Sequence, residues 1–77
     1  MPKVVVYSID HCPYCERAKA LLTSKNIPYQ EIKVDRSDEK AVSELFARSK
    51  MKTFPQIFFD DQLVGGFREL DIKFKSS

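Results

Sequence analysis

Two cysteines stand one helical turn apart at Cys12-Pro13-Tyr14-Cys15, and they are the only cysteines in 77 residues. Before them Val4-Val5-Val6-Tyr7 is β-branched and aromatic, which suits a central strand covered on both faces and predicts β structure over Lys3 to Ser8. From Pro13 onward the apolar positions fall at helical spacing. The pair therefore lies where a strand has ended and a helix begins, the setting in which C-x-x-C reads as a thiol–disulfide redox motif. With Cys12 as N-cap, the free amides at the second and third helical positions belong to Tyr14 and Cys15 and face the Cys12 sulfur. Pro13 fits the first helical position, where its missing N–H removes a donor that the helix does not use. Cys15 lies near enough to close a disulfide with Cys12 and is expected to be the less exposed, resolving thiol.

Magnitudes decide what could hold Cys12 as a thiolate near neutral pH. Lowering a thiol from about 8.5 to about 6.5 takes roughly 2.7 kcal/mol, whereas a helix terminus contributes about 0.3 to 1 kcal/mol. Hydrogen bonds to a charged group contribute about 1.5 to 3 kcal/mol each, so one or two amides on the sulfur close the gap. Two other readings of the pair are small buried hydrophobes and half of a zinc site. Zinc usually takes four ligands, and the one histidine, His11, is adjacent to Cys12 and badly placed, so closing such a site needs a second chain. No resident metal is expected. His11 either favours the thiolate when protonated or is an exposed loop residue.

The elements that must position the pair follow from periodicity. Pro13 to Lys25 is expected as a helix with Tyr14, Ala18, Leu21 and Leu22 on its buried face and Asn26 in the left-handed turn that ends it. Tyr29 to Val34 alternates like a strand near an edge. Asp35 to Ser37 holds capping candidates for a second helix, whose Val42, Leu45, Phe46 and Ser49 keep helical spacing up to Lys50. Gln56 to Phe59 and Gln62 to Val64 read as a hairpin about Asp60-Asp61, broken at Gly65-Gly66. A last helix is expected from Phe67 to Phe74, with Lys75-Ser76-Ser77 fraying. The order β-α-β-α-β-β-α implies an α/β fold with a four-stranded mixed sheet and three helices packed on it.

Composition bounds the function. A net charge of +2 with 43% hydrophobic residues excludes a disordered tail and a dense basic arm, so no nucleic acid is expected as partner. The longest unbroken apolar run is four residues, far below the roughly 18 a membrane-spanning helix needs, so no membrane is expected either. Two cysteines are too few for the disulfide framework of a small secreted protein, and the N-terminus lacks the apolar stretch of a secretory signal. We expect one domain over residues 1–77, monomeric and cytoplasmic, held by a core in which most of the three Tyr and six Phe take part.

Three stretches together resemble the small dithiol glutaredoxins: Val5 to Cys15 with its Cys-Pro-Tyr-Cys core, Thr53-Phe54-Pro55-Gln56-Ile57-Phe58, and Val64-Gly65-Gly66-Phe67 followed by Glu69-Leu70. The resemblance covers nearly the whole chain. It implies a thioredoxin-like fold with strand order 2-1-3-4 and a cis bond between Phe54 and Pro55. The activity it implies is glutathione-dependent reduction of protein disulfides and glutathione mixed disulfides at the redox pair Cys12 and Cys15. Glutathione would be a co-substrate rather than a tightly bound cofactor, contacted by Tyr14, Thr53, Phe54, Pro55, Gly66, Phe67, Arg68 and Glu69. The partners implied are disulfide-containing or glutathionylated proteins.

Two departures from the family pattern matter. Ile9 stands where the family commonly has a Lys, three residues before the first cysteine. Phe67-Arg68 stands where a small residue or Cys and then an acidic residue are usual; Arg68 either meets a glutathione carboxylate in compensation or is solvated. Gly66-Phe67-Arg68 also resembles thioredoxin-reductase-linked redoxins that donate electrons to ribonucleotide reductase, although Pro13-Tyr14 favours glutaredoxin. A non-enzymatic alternative is a dimer holding an iron–sulfur cluster with glutathione, which Pro13 disfavours because cluster-holding relatives often carry Ser there.

Overall fold

The apolar run of the N-terminus folds into β1 (Val4–Ser8), where Val4, Val5, Val6 and Ser8 are buried, so its lack of polar alternation follows from its central position. This computed structural model describes residues 3–75; Lys75, expected to fray, instead closes the last helix and pairs with Asp71, while the expected fraying at Ser76 and Ser77, and the ends of the expected 1–77 domain, lie outside the described residues. β1 pairs in parallel with β2 (Gln30–Lys33) and antiparallel with β3 (Gln56–Phe59), which continues through a hairpin into β4 (Gln62–Gly65). The strand order is β2-β1-β3-β4, as the resemblance implied. Asp60 and Asp61 turn the hairpin with φ of 51° and 66°, the paired left-handed conformation that matches the twist of two strands. The exposed Gln30, Glu31 and Lys33 blunt the β2 edge.

Three helices cover the sheet: α1 (Pro13–Ser24), α2 (Glu39–Ser49) and α3 (Phe67–Lys75). Val4, Val6 and Ile57 point to one face, where they cluster with Ala18 and Leu22 of α1 and Leu70 of α3. Strand alternation sends Tyr7 and Phe58 to the other face, where Arg48 of α2 lies over the Phe58 ring and hydrogen-bonds the Tyr7 hydroxyl.

Several expectations need correction. The buried residues of α1 are Cys15, Ala18 and Leu22, while Tyr14 is 55% exposed, because the stripe facing the sheet starts at Cys15 and leaves Tyr14 turned away. The cap of α2 is Asp38, whose Oδ1 accepts from the Ala41 N–H at 3.1 Å. Asp35 instead accepts from the Ser37 N–H and hydroxyl, so the expected caps at Asp35 to Ser37 form a local turn just ahead of the helix. Lys50, with φ 62°, closes α2, and Asn26 takes φ 57° after α1. Gly65 belongs to β4 rather than breaking it. Most aromatics are half-buried rather than core, with Phe58 the buried exception among the described residues, because so small an interior seats large rings only at its margins.

One polar clamp ties α1 to the sheet. The Ser8 hydroxyl donates to Glu31 Oε2 at 2.6 Å, and Lys19 Nζ reaches the same oxygen at 2.8 Å and Glu16 at 2.6 Å. The Lys19 ammonium, and then the Ser8 hydroxyl, hold the Glu31 carboxyl below its ordinary 4.5. A group depressed in the folded state contributes stability above its unfolded pKa and loses it as pH falls through the folded value. Denaturant melts from about pH 6 down to about pH 3 should therefore show the wild type losing more stability than Glu31→Gln. Parallel acid profiles for the two proteins would show that the clamp contributes nothing.

Candidate active site

The turn into α1 is made by His11 at φ 58°, after which Cys12 is extended (φ −119°, ψ 98°) and caps the helix, with Pro13 first inside it. The Cys15 N–H donates to Cys12 Sγ at 3.1 Å. Of the two amides expected at the sulfur, Cys15 supplies this bond and Tyr14 supplies none among the described residues. Cys12 and Cys15 are joined as a disulfide with their Cα atoms 5.2 Å apart. Cys12 is half-buried and Cys15 is wholly buried, so an external thiol or disulfide can reach only the Cys12 sulfur.

Beside the pair lies a groove of about 270 Å³ formed where three segments meet. The start of α1 supplies Tyr14, the loop before β3 supplies Thr53, Phe54 and Pro55, and the start of α3 supplies Gly66, Phe67, Arg68 and Glu69. All eight residues expected around the tripeptide thus line one groove. The Phe54–Pro55 bond is cis, as expected from the resemblance. Neither the N–H nor the C=O of Phe54 is hydrogen-bonded among the described residues, which leaves a strand-like edge open in the groove. The Tyr14 and Phe67 rings lie 6.1 Å apart, and the Arg17 guanidinium stacks 5.0 Å over Tyr14.

The glycine turn is built for close approach. Gly65 has φ +131°, and a Cβ there would stand 2.7 Å from Glu69 Cγ, so a side chain fits neither the backbone nor the space. Glu69 reaches back so that Oε1 accepts the Gly66 N–H at 2.8 Å, half of a capping box at the start of α3. Glu69, expected as a ligand contact, therefore also holds the turn.

Two residues escaped the sequence reading. Met51 lines the groove, and nothing in its type or spacing signals this. Gln56 is wholly buried, and its Nε2 donates to the carbonyls of Met51 (3.1 Å) and Thr53 (3.0 Å), pinning the loop from beneath. A polar residue opening an apolar strand run was the available signal. Its Oε1 has no partner among the described residues.

On the other side of Cys12 a shallower hollow of about 430 Å³ is lined by Ile9, His11, Pro13, Glu16 and Lys33 as well as Cys12 itself. Ile9 faces this hollow rather than the groove, and Lys33 pairs with Asp10 at 3.3 Å nearby. Among the described residues no group of three or more His, Cys, Asp or Glu is placed to hold a metal ion, and no helix is long and apolar enough to cross a membrane.

Comparison with known proteins agrees with this geometry. The family model for glutaredoxin matches residues 4–64. Glutaredoxin 3 of Escherichia coli is 46% identical over 70 residues, which cover 91% of this chain and 83% of that protein. Among solved structures, Glutaredoxin 1 from Francisella tularensis, complexed with cacodylate, is similar with a TM-score of 0.83 and 33% identity, over 99% of this chain and 95% of the other. The buckwheat glutaredoxin–glutathione complex matches with a TM-score of 0.86 and 26% identity, over 97% of this chain and 70% of the other.

Two measurements test the site. Once the disulfide is reduced, the alkylation rate of Cys12 should inflect below the ordinary thiol value of about 8.5, with Cys15 protected by burial; an inflection at or above that value removes the case for a sulfur charged by its cap. Gln56→Glu sets a buried charge against two carbonyls and should lower Tm by more than about 10 °C, which corresponds to a few kcal/mol in a domain of this size. An unchanged melt would show that Gln56 does not hold the loop.

Proposed function

Because the chain belongs to the glutaredoxin family, we propose that it reduces protein disulfides and glutathione mixed disulfides at Cys12, with glutathione as the co-substrate seated in the groove. That it is a thiol–disulfide oxidoreductase follows from the family. The observation that carries the finer reading is the half-exposed Cys12 sulfur, bonded to a buried partner and flanked by a groove with an open backbone edge. The buckwheat relative, solved with glutathione bound, supports the choice of ligand.

The chemistry is in-line exchange at sulfur. From the oxidised state, a glutathione thiolate attacks Cys12 Sγ, the Cys12–Cys15 bond breaks, and its electron pair leaves on the Cys15 sulfur, which takes up a proton. A second glutathione thiolate attacks the glutathione sulfur of the mixed disulfide, releasing glutathione disulfide and Cys12 as thiolate. That thiolate, eased by the Cys15 amide, attacks the next substrate. A glutathionylated protein passes its glutathione to Cys12 and leaves as a thiol. A protein disulfide gives a protein–Cys12 mixed disulfide; the Cys15 sulfur, giving up its proton, attacks Cys12 Sγ and re-forms Cys12–Cys15, and the protein sulfur leaves with the electron pair and takes up a proton. In the groove, the free N–H and C=O of Phe54 pair with the tripeptide backbone. Arg68, which has no ion-pair partner among the described residues, takes one of its carboxylates.

A second reading replaces glutathione with a flavoprotein thioredoxin reductase as electron source. It is favoured by Ile9, which brings no charge to the Cys12 neighbourhood. Coupled NADPH oxidation decides between them: we expect turnover with glutathione plus glutathione reductase and little with thioredoxin reductase alone, and the reverse pattern would select the second reading. Cys12→Ser should abolish all turnover, whereas Cys15→Ser should keep deglutathionylation and lose reduction of protein disulfides. Activity retained in Cys12→Ser would mean that the nucleophile is misassigned.

A further inference from the structure

The cations of this chain are not evenly matched with anions. Lys19, Lys33, Arg48 and Lys75 each stand in an ion pair with a carboxylate. Around the groove the pattern reverses: Arg68 lines it, Arg17 stacks on its Tyr14 wall, and Lys50 and Lys52 flank Met51 on its loop wall, all four exposed and without an ion pair among the described residues. The one carboxylate there, Glu69, is engaged by the Gly66 N–H. Within the lining Arg68 and Glu69 balance, so the excess of positive charge comes from Arg17, Lys50 and Lys52 around it. Lys3, Lys25, Arg36 and Lys40 are also without an ion pair among the described residues but sit just before β1, at the C-terminal end of α1, and on the approach to and first turn of α2.

This excess is more than glutathione requires. A tripeptide with two carboxylates and one ammonium is net −1, and Arg68 already faces the groove, whereas Arg17, Lys50 and Lys52 are not among its lining residues. Arg17 lies against the Tyr14 wall, and Lys50 and Lys52 adjoin Met51 of the loop wall, so their charge surrounds the groove rather than filling it. We propose that the rim selects protein substrates whose reacting cysteine is flanked by acidic residues. The selection acts mainly on encounter, since complementary surface charge raises association rates and is screened by salt. This proposal rests on the reading of the groove as the glutathione site.

The test uses the full chain and three peptides, each carrying one cysteine as a mixed disulfide with glutathione and flanked by Asp/Glu, Ser/Gly or Lys residues. At about 0.01 M salt, kcat/KM for the acidic peptide should exceed that for the basic one by about tenfold or more. The ratio should shrink by about 0.1 M, where the screening length falls from about 30 Å to about 10 Å. The Lys50→Asn, Lys52→Gln double variant should reduce the preference while leaving turnover of the mixed disulfide between glutathione and a small uncharged thiol unchanged; Asn suits the left-handed conformation at position 50. Equal kcat/KM for all three peptides, with activity retained, overturns the proposal and leaves the glutathione reading intact. No turnover of any peptide, with glutathione and its reductase present, removes the glutathione reading and this proposal with it.

Discussion

The structure depends on a sulfur standing where a capping oxygen usually does. A helix of ordinary composition leaves four amides unpaired at its start, and each needs a partner. At α1 the Cys12 sulfur meets that need through the Cys15 N–H. The same contact ends β1's loop, starts the helix and places one sulfur outside and the other inside. Asymmetry of access then follows from helix geometry: Cys15, one turn on, is carried onto the stripe shared with Ala18 and Leu22, so it is buried because they are. The division between an attacked sulfur and a released one is thus a by-product of which face of α1 packs on the sheet.

The groove is a problem of holding irregular backbone still. Its loop wall has no ladder to pin it, and one buried side chain, Gln56, substitutes by donating to two of its carbonyls, while Ser49 Oγ accepts the Met51 N–H at 3.1 Å at the loop's entry. The opposite wall is the turn at Gly65-Gly66, where the first glycine, Gly65, is required by both φ and space and where Glu69 secures the helix start. Because these tethers satisfy neighbours of Phe54 and not Phe54 itself, the open edge in the groove belongs to a rigid frame. Rigidity of this kind lowers the ordering cost of binding an extended peptide.

Charge works at two ranges. Close to the sheet, Lys19, Glu31 and Ser8 form a compact clamp that fixes α1 against β1 and β2, and so indirectly aims the Cys12 cap. Farther out, the unpaired cations of the groove rim cost little in stability because they are hydrated, yet they shape the field a partner meets. The two departures from the family pattern, Ile9 and Arg68, fall on opposite sides of Cys12. Ile9 brings no charge to the hollow, while Arg68 brings a cation to the groove.

The redox pair and the element order were legible because each rests on interactions within a few residues or on a strong run of one type, whereas the strand order came only with the resemblance, since β1 pairs with strands far along the chain, Val4 with Phe59 among them. The Val4 to Tyr7 run, Pro13 after Cys12 and the Asp60-Asp61 turn carry their local reason with them. What sequence reading misplaced was set by packing. Tyr14 obeys helical spacing but lies just off the stripe that the sheet selects, and Asp38 rather than its neighbours caps α2 because Asp35 and Ser37 satisfy each other first. By itself, then, the chain's order of residues determined that a reactive sulfur would start a helix, since capping is a local matter. Only the tertiary structure decided that Tyr14, Met51, Phe54 and Arg68 share one groove, because they come from segments tens of residues apart that meet only once β1 lies between β2 and β3.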